Sequence, residues 1–75
     1  MNADRVLAIA EPDYAYGQGV LYLRIEIVDR TNPVYLDKEP WLWVEGMRVT
    51  RSGAEIGHRR VLVRARRLPP ASMGL

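Results

Sequence analysis

The residue type best equipped for chemistry in this chain is arginine, and its spacing is uneven. Arg59, Arg60, Arg64, Arg66 and Arg67 crowd one C-terminal stretch, with His58 directly before them. A guanidinium stays charged at any ordinary pH and presents a rigid fork of donors, so its natural task is to hold anions. On a strand, Arg60, Arg64 and Arg66 share one face, with about 7 Å between successive same-face positions. That row suits a track for phosphates, each able to accept two hydrogen bonds from one arginine. The same alternation permits a second reading. The arginines can sit opposite Glu26, Glu45 or other acids of the first half, giving a solvated and charge-balanced face.

Aromatic residues form the second candidate set. Tyr14 and Tyr16 fall in a loop, while Trp41 and Trp43 alternate with Leu42 and Val44. If Leu42 and Val44 take the core, both tryptophans lie on the outer face and mark an interaction patch. The alternative is that the loop tyrosines and a curl of the sheet cover them as a minor second core.

Other chemistry finds little support. The chain has no cysteine and one histidine, and its serines are Ser52 in a turn and Ser72 near the end. Neither serine has a base and an orienting partner close in sequence. Asp13, Asp29, Asp37 and Glu39 fall on turns, where Asp in particular serves the backbone. The histidine and scattered carboxylates show no metal-ligand spacing. Gly17-Gln18-Gly19 lacks the helix and lysine that a phosphate loop requires. No catalytic residue, metal or cofactor is expected, and the chain reads as a non-enzyme.

The elements that must position these residues are strands. From Val20 to Val28, Leu21, Leu23, Ile25 and Ile27 alternate with Tyr22, Arg24 and Glu26, which gives one core face and one wet face. Arg5 to Ala10 predicts a shorter first strand, followed by a loop broken by Pro12, Gly17 and Gly19. Turns are expected at Asp29–Pro33 and Asp37–Pro40, with a brief edge strand at Val34–Leu36 between them. Trp41 to Val49 alternates again, interrupted by Gly46 where a bulge or bend fits. Arg51-Ser52-Gly53 reads as a hairpin loop, and a last strand runs from Ala54 to Leu68, bent at Gly57. No long segment keeps a helical period. The prediction is an all-β domain over residues 1–68, a small barrel or strongly coiled antiparallel sheet of four to five strands, with 69–75 as a flexible tail.

Ala10-Glu11-Pro12-Asp13-Tyr14-Ala15-Tyr16, with Trp41-Leu42-Trp43 later, resembles the SH3 domain. That family carries an Ala-Leu-Tyr-Asp-Tyr motif and a tryptophan pair, and lines a groove for Pro-rich ligands with them. Ala10, Asp13, Tyr14 and Trp41 are the residues in line, and Arg59 to Val63 stands where the family has a closing Pro-x-Asn-Tyr. The resemblance is one of architecture, and an SH3-like barrel also suits this length better than an OB-like one, which usually needs more residues and a helix between strands.

At 75 residues the chain sits near the lower end of sizes that fold unaided, with no disulfide to help. Its net charge of +2 hides an asymmetry. Residues 1–45 hold four basic and eight acidic side chains, whereas residues 46–75 hold seven arginines and one acid, Glu55. The N-terminus has neither the basic start nor the apolar stretch of a secretory signal, and the expected location is the cytoplasm. The expected function is a non-catalytic binding module contacting nucleic acid or another anionic partner, such as an acidic protein surface, through the arginine strand. The alternative is a protein-interaction or self-assembling domain built on the Trp/Tyr patch. No membrane contact is expected.

Overall fold

A computed structural model describes residues 6–69. Four strands, β1 (Val6–Ile9), β2 (Leu21–Leu36), β3 (Glu39–Val49) and β4 (Glu55–Arg64), pair antiparallel in chain order. Short 3-10 turns cover Glu11–Asp13 and Ala65–Arg67. The result is an all-β, strongly curled half-barrel. Of the expected tail, Pro69 alone is described and residues 70–75 lie outside the described range; Arg5, expected in the first strand, also lies outside it.

The core follows the period-two pattern. Leu21 and Leu23 of β2, Leu42 and Val44 of β3, and Val61 and Val63 of β4 meet on the concave face with Ile9 of β1. Tyr14 and Leu68 join this cluster from outside the strands. Three irregularities bend the sheet. Ile25 pairs with Gly46 and Ile27 with Glu45, so Glu26 is an extra residue on β2. The extra residue reverses the alternation beyond it. Ile27, expected in the core beside Ile25, is therefore 56% exposed, and Val28 packs inward in its place. Likewise, Arg48 pairs with Gly57 and Val49 with Glu55, which leaves Ile56 bulged out of β4.

The third irregularity merges two expected elements into one. Asp29 pairs with Trp43 and Val34 with Trp41, so Arg30 to Pro33 lie opposite Leu42 alone. The predicted turn at Asp29–Pro33 is a wide bulge inside a continuous β2, and the strands number four among the described residues. Asp29 holds the bulge by accepting hydrogen bonds from the Thr31 backbone N–H (3.0 Å) and the Thr31 hydroxyl (2.7 Å). The Thr31 hydroxyl first, and then its backbone N–H, keep the Asp29 carboxyl below its ordinary value of 3.8. Pro33 is tolerated because a bulged residue has no ladder bond to donate.

β2 and β3 are joined by a two-residue hairpin, Asp37-Lys38, with φ of 52° and 67°. Positive φ at both positions matches the twist of the flanking strands, but Lys38 pays the steric cost of a Cβ there. Lys38→Gly gives the Asp-Gly pair that such turns favour. It is expected to stabilise the domain by about 0.5–1 kcal/mol after the extra chain entropy of glycine is deducted. A raised urea midpoint at unchanged slope checks this.

The loop between β1 and β2 draws the sheet round on itself. Tyr14 bridges to Val63, and the Ala15 N–H donates to the Leu62 carbonyl at 2.9 Å, so the loop adds itself to the free edge of β4. Internally, the Tyr14 hydroxyl donates to the Gly19 carbonyl (2.8 Å) and accepts from the Gln18 N–H (3.0 Å). Glu11 Oε2 accepts from the Gly19 N–H at 3.1 Å. These bonds hold the loop in the shape that presents Tyr16.

Candidate functional site

Arg64, at the end of β4, is the hub of the charged surface. Its Nε donates to Asp13 Oδ1 at 3.0 Å, its Nη1 to Glu39 Oε1, and its Nη2 to the Pro12 carbonyl at 3.2 Å. Arg67 Nε lies 3.1 Å from Asp13 Oδ2, and Arg66 Nε lies 3.3 Å from Glu39 Oε2. Two carboxylates thus bind three arginines, and each carboxylate is shared by two. Asp13 is 7% exposed, which makes it the one buried charged residue among those described. A carboxylate so placed requires compensation, and these arginines supply it.

The expected row along one strand face is replaced by this cluster. β4 ends at Arg64, and Arg66 and Arg67 belong to the 3-10 turn that follows, where strand alternation no longer applies. Arg60 remains on the sheet, with its Nε 3.6 Å from Glu45 and its guanidinium carbon 4.2 Å from the centre of the Trp43 ring. Both partners are half exposed, so the ion pair contributes little, and the stacking supplies about 0.5–1 kcal/mol. His58 lies 3.5 Å from Glu26, and Arg24 lies 2.5 Å from Glu55. Of the five C-terminal arginines, Arg59 alone makes no ion pair among the described residues. Its guanidinium carbon stands 5.7 Å from the Tyr14 ring centre.

The four aromatic candidates divide. Tyr14 is a core residue, 4% exposed, so its ring is not part of a surface patch. Trp41 is also buried, at 7% exposure, because Arg64 lies over it with the guanidinium carbon 4.6 Å from the ring centre. Its indole N–H has no partner among the described residues. Trp43 is half-buried beneath Arg60. Tyr16 is the opposite case: it is 96% exposed and held at φ 59°.

Tyr16 and Trp43 flank a groove of about 510 Å³. Ala15, Leu36 and the four consecutive residues Arg59 to Leu62 complete its lining. Successive side chains of a strand point to opposite faces, so a cavity touching four in a row lies along the strand's edge. The edge in question is that of β4, beside the point where Ala15 attaches. Leu36, on the expected edge strand, is the one of these that the interaction reading of the sequence includes; Leu62 and Ala15 carried no signal. They come together through the long β2–β3 hairpin and the crossing of the loop, which bring together positions far apart in the chain.

No family model, curated protein or solved structure matches this chain. Among the described residues no cluster of His, Cys, Asp or Glu is arranged to hold a metal ion, and no helix is long and apolar enough to cross a membrane.

Proposed function

We propose that this domain is a non-catalytic interaction module that grips a segment of another protein in the groove between Tyr16 and Trp43. The observation that carries the reading is the near-complete exposure of Tyr16 beside an apolar groove. A large aromatic held outside the core by a hydrogen-bonded loop, at a backbone angle few side chains adopt, gains nothing for folding. It supplies contact area to a partner at low entropic cost, as tyrosine does in many binding surfaces. Tyr14 and Trp41, the aromatic residues that carried the SH3 resemblance, are both buried, so the groove is built from their neighbours Tyr16 and Trp43 instead.

The nucleic-acid reading is weakened by the same geometry. Arg64, Arg66 and Arg67 are engaged by Asp13 and Glu39, and a chain of net charge +2 has little left for a phosphate track.

A displayed library of random dodecapeptides, selected on the domain and on its Tyr16→Gly variant, tests the proposal. Glycine keeps the backbone at its positive φ, so the fold is retained while the ring is lost. Selected peptides are expected to bind with micromolar affinity, shift the Trp43 emission, and bind the variant at least tenfold more weakly. Selection of nothing that distinguishes the two proteins overturns the proposal. Binding of single-stranded DNA or RNA that falls steeply with salt would put the arginine surface in its place.

A further inference from the structure

The open edge of β4 deepens this reading by naming the form of the partner. The Ala15 N–H reaches the Leu62 carbonyl, so the backbone groups of Leu62 point away from β3. In an antiparallel ladder the outward residues alternate. The β3–β4 register is unbroken from Arg64 back to Gly57, so Arg60 and His58 also turn their N–H and C=O groups outward. Neither makes a backbone bond on that side among the described residues. The bulge at Ile56 ends the open stretch below, and Ala15 ends it above. A short length of unpaired edge therefore runs beside the groove, in line with a loop that has already begun to act as a fifth strand.

Charge selects the occupant. The edge is bordered by His58, Arg59 and Arg60, and Arg59 makes no ion pair among the described residues. A second copy of this chain pairing through the same edge would bring Arg59 against Arg59 of that copy, with Glu26 and Glu45 already committed to His58 and Arg60, and directly opposed like charges are unfavourable. An acidic strand meets no such opposition. We infer that the partner is an extended acidic peptide that adds to β4 at His58–Arg60, placing a carboxylate at Arg59 and an apolar side chain between Tyr16 and Trp43. Main-chain bonds would supply affinity, and the alternate side chains specificity. This inference rests on the groove reading above.

The test uses three synthetic peptides, each eight residues long, acetylated and amidated at the ends. The first alternates Glu with Val and Leu, the second replaces every Glu by Lys, and the third is the first with alternate amides N-methylated. Binding is followed by tryptophan emission, and amide hydrogen exchange is followed at His58 and Arg60. The Glu peptide is expected to bind at least tenfold more tightly than either of the others and to slow exchange at both amides. Arg59→Glu is expected to reverse the preference between the Glu and Lys peptides. Equal binding of the Glu and Lys peptides, or unchanged exchange at His58 and Arg60, overturns the strand inference. If selected peptides still depend on Tyr16 in that case, the groove reading stands without it. Dimers of the peptide-free protein with both amides already protected would overturn it in favour of self-pairing.

Discussion

Gly46→Ala is expected to remove a large part of this domain's stability. A Cβ at Gly46 would stand 2.3 Å from the Arg24 carbonyl oxygen and 3.1 Å from the Ile25 Cα, both backbone atoms of the neighbouring strand. No side chain can swing aside to make room. The β2–β3 ladder must open where Ile25 pairs with Gly46, which is also where the Glu26 bulge reverses the alternation. Overpacking of this kind costs about 3 kcal/mol or more when it must be relieved by the backbone. A domain of 75 residues has only about 4–11 kcal/mol in total. Gly57→Ala is the matched control, because a Cβ there meets nothing within 4 Å. It is expected to change stability by less than about 0.5 kcal/mol. Circular dichroism in a urea series compares the two, and equal behaviour would mean that the close approach at Gly46 does not hold in solution.

Asp13→Ala carries the second large effect. It removes the shared acceptor of Arg64 and Arg67, and Arg64 is held where only 21% of its side chain is exposed. Breaking a buried pair from one side costs about 3–5 kcal/mol at full burial, and here Arg64 keeps Glu39 as a second partner. Partial solvent access to Arg64 brings the expected loss to about 2–3 kcal/mol. Glu45→Ala, which removes the exposed 3.6 Å partner of Arg60, is expected to cost under about 0.5 kcal/mol. The Asp13 variant also has a second readout. With Arg67 freed of its only carboxylate among the described residues and Arg64 left on Glu39, the affinity of this variant for single-stranded DNA at low salt should rise modestly above that of the native protein. No rise would mean that Asp13 is not what keeps Arg67 from an anionic strand.

The sequence made the strand faces legible because alternation is local. Leu21 and Leu23, Leu42 and Val44, and Val61 and Val63 announce their side of the sheet without any knowledge of their partners. The bulge expected at Gly46 falls instead on the facing strand, where Glu26 is the extra residue of β2, while β3 pairs with β4 through Gly46 without a shift. Ile27 was misplaced because a single extra residue at Glu26 inverts everything after it, and a bulge on one strand is dictated by its neighbour. Asn32-Pro33 resembled the end of a strand, and only pairing with β3 on either side keeps β2 continuous. At the site, the arginine cluster was conspicuous, but its acceptors were not. Asp13 reads as an ordinary turn residue until it is placed against Arg64, 51 positions away. Trp41 disappears beneath that same arginine. Charge asymmetry along the chain was thus a true signal, of an internal neutralisation that needed the fold to become visible.

The attachment of Ala15 to Leu62 fixes the order in which the protein comes into being. The β2–β3 and β3–β4 hairpins join neighbours in the chain and can form as soon as both arms exist, whereas the loop must wait for β4. During synthesis from the N-terminus, Tyr16 leaves the ribosome early and stays without a counterpart until Arg59 to Leu62 follow. A truncated product ending in β3 would carry both tryptophans and no groove at all. The groove is therefore the last feature this chain completes, and a fragment that stops short of β4 lacks Arg59 to Leu62 of its lining.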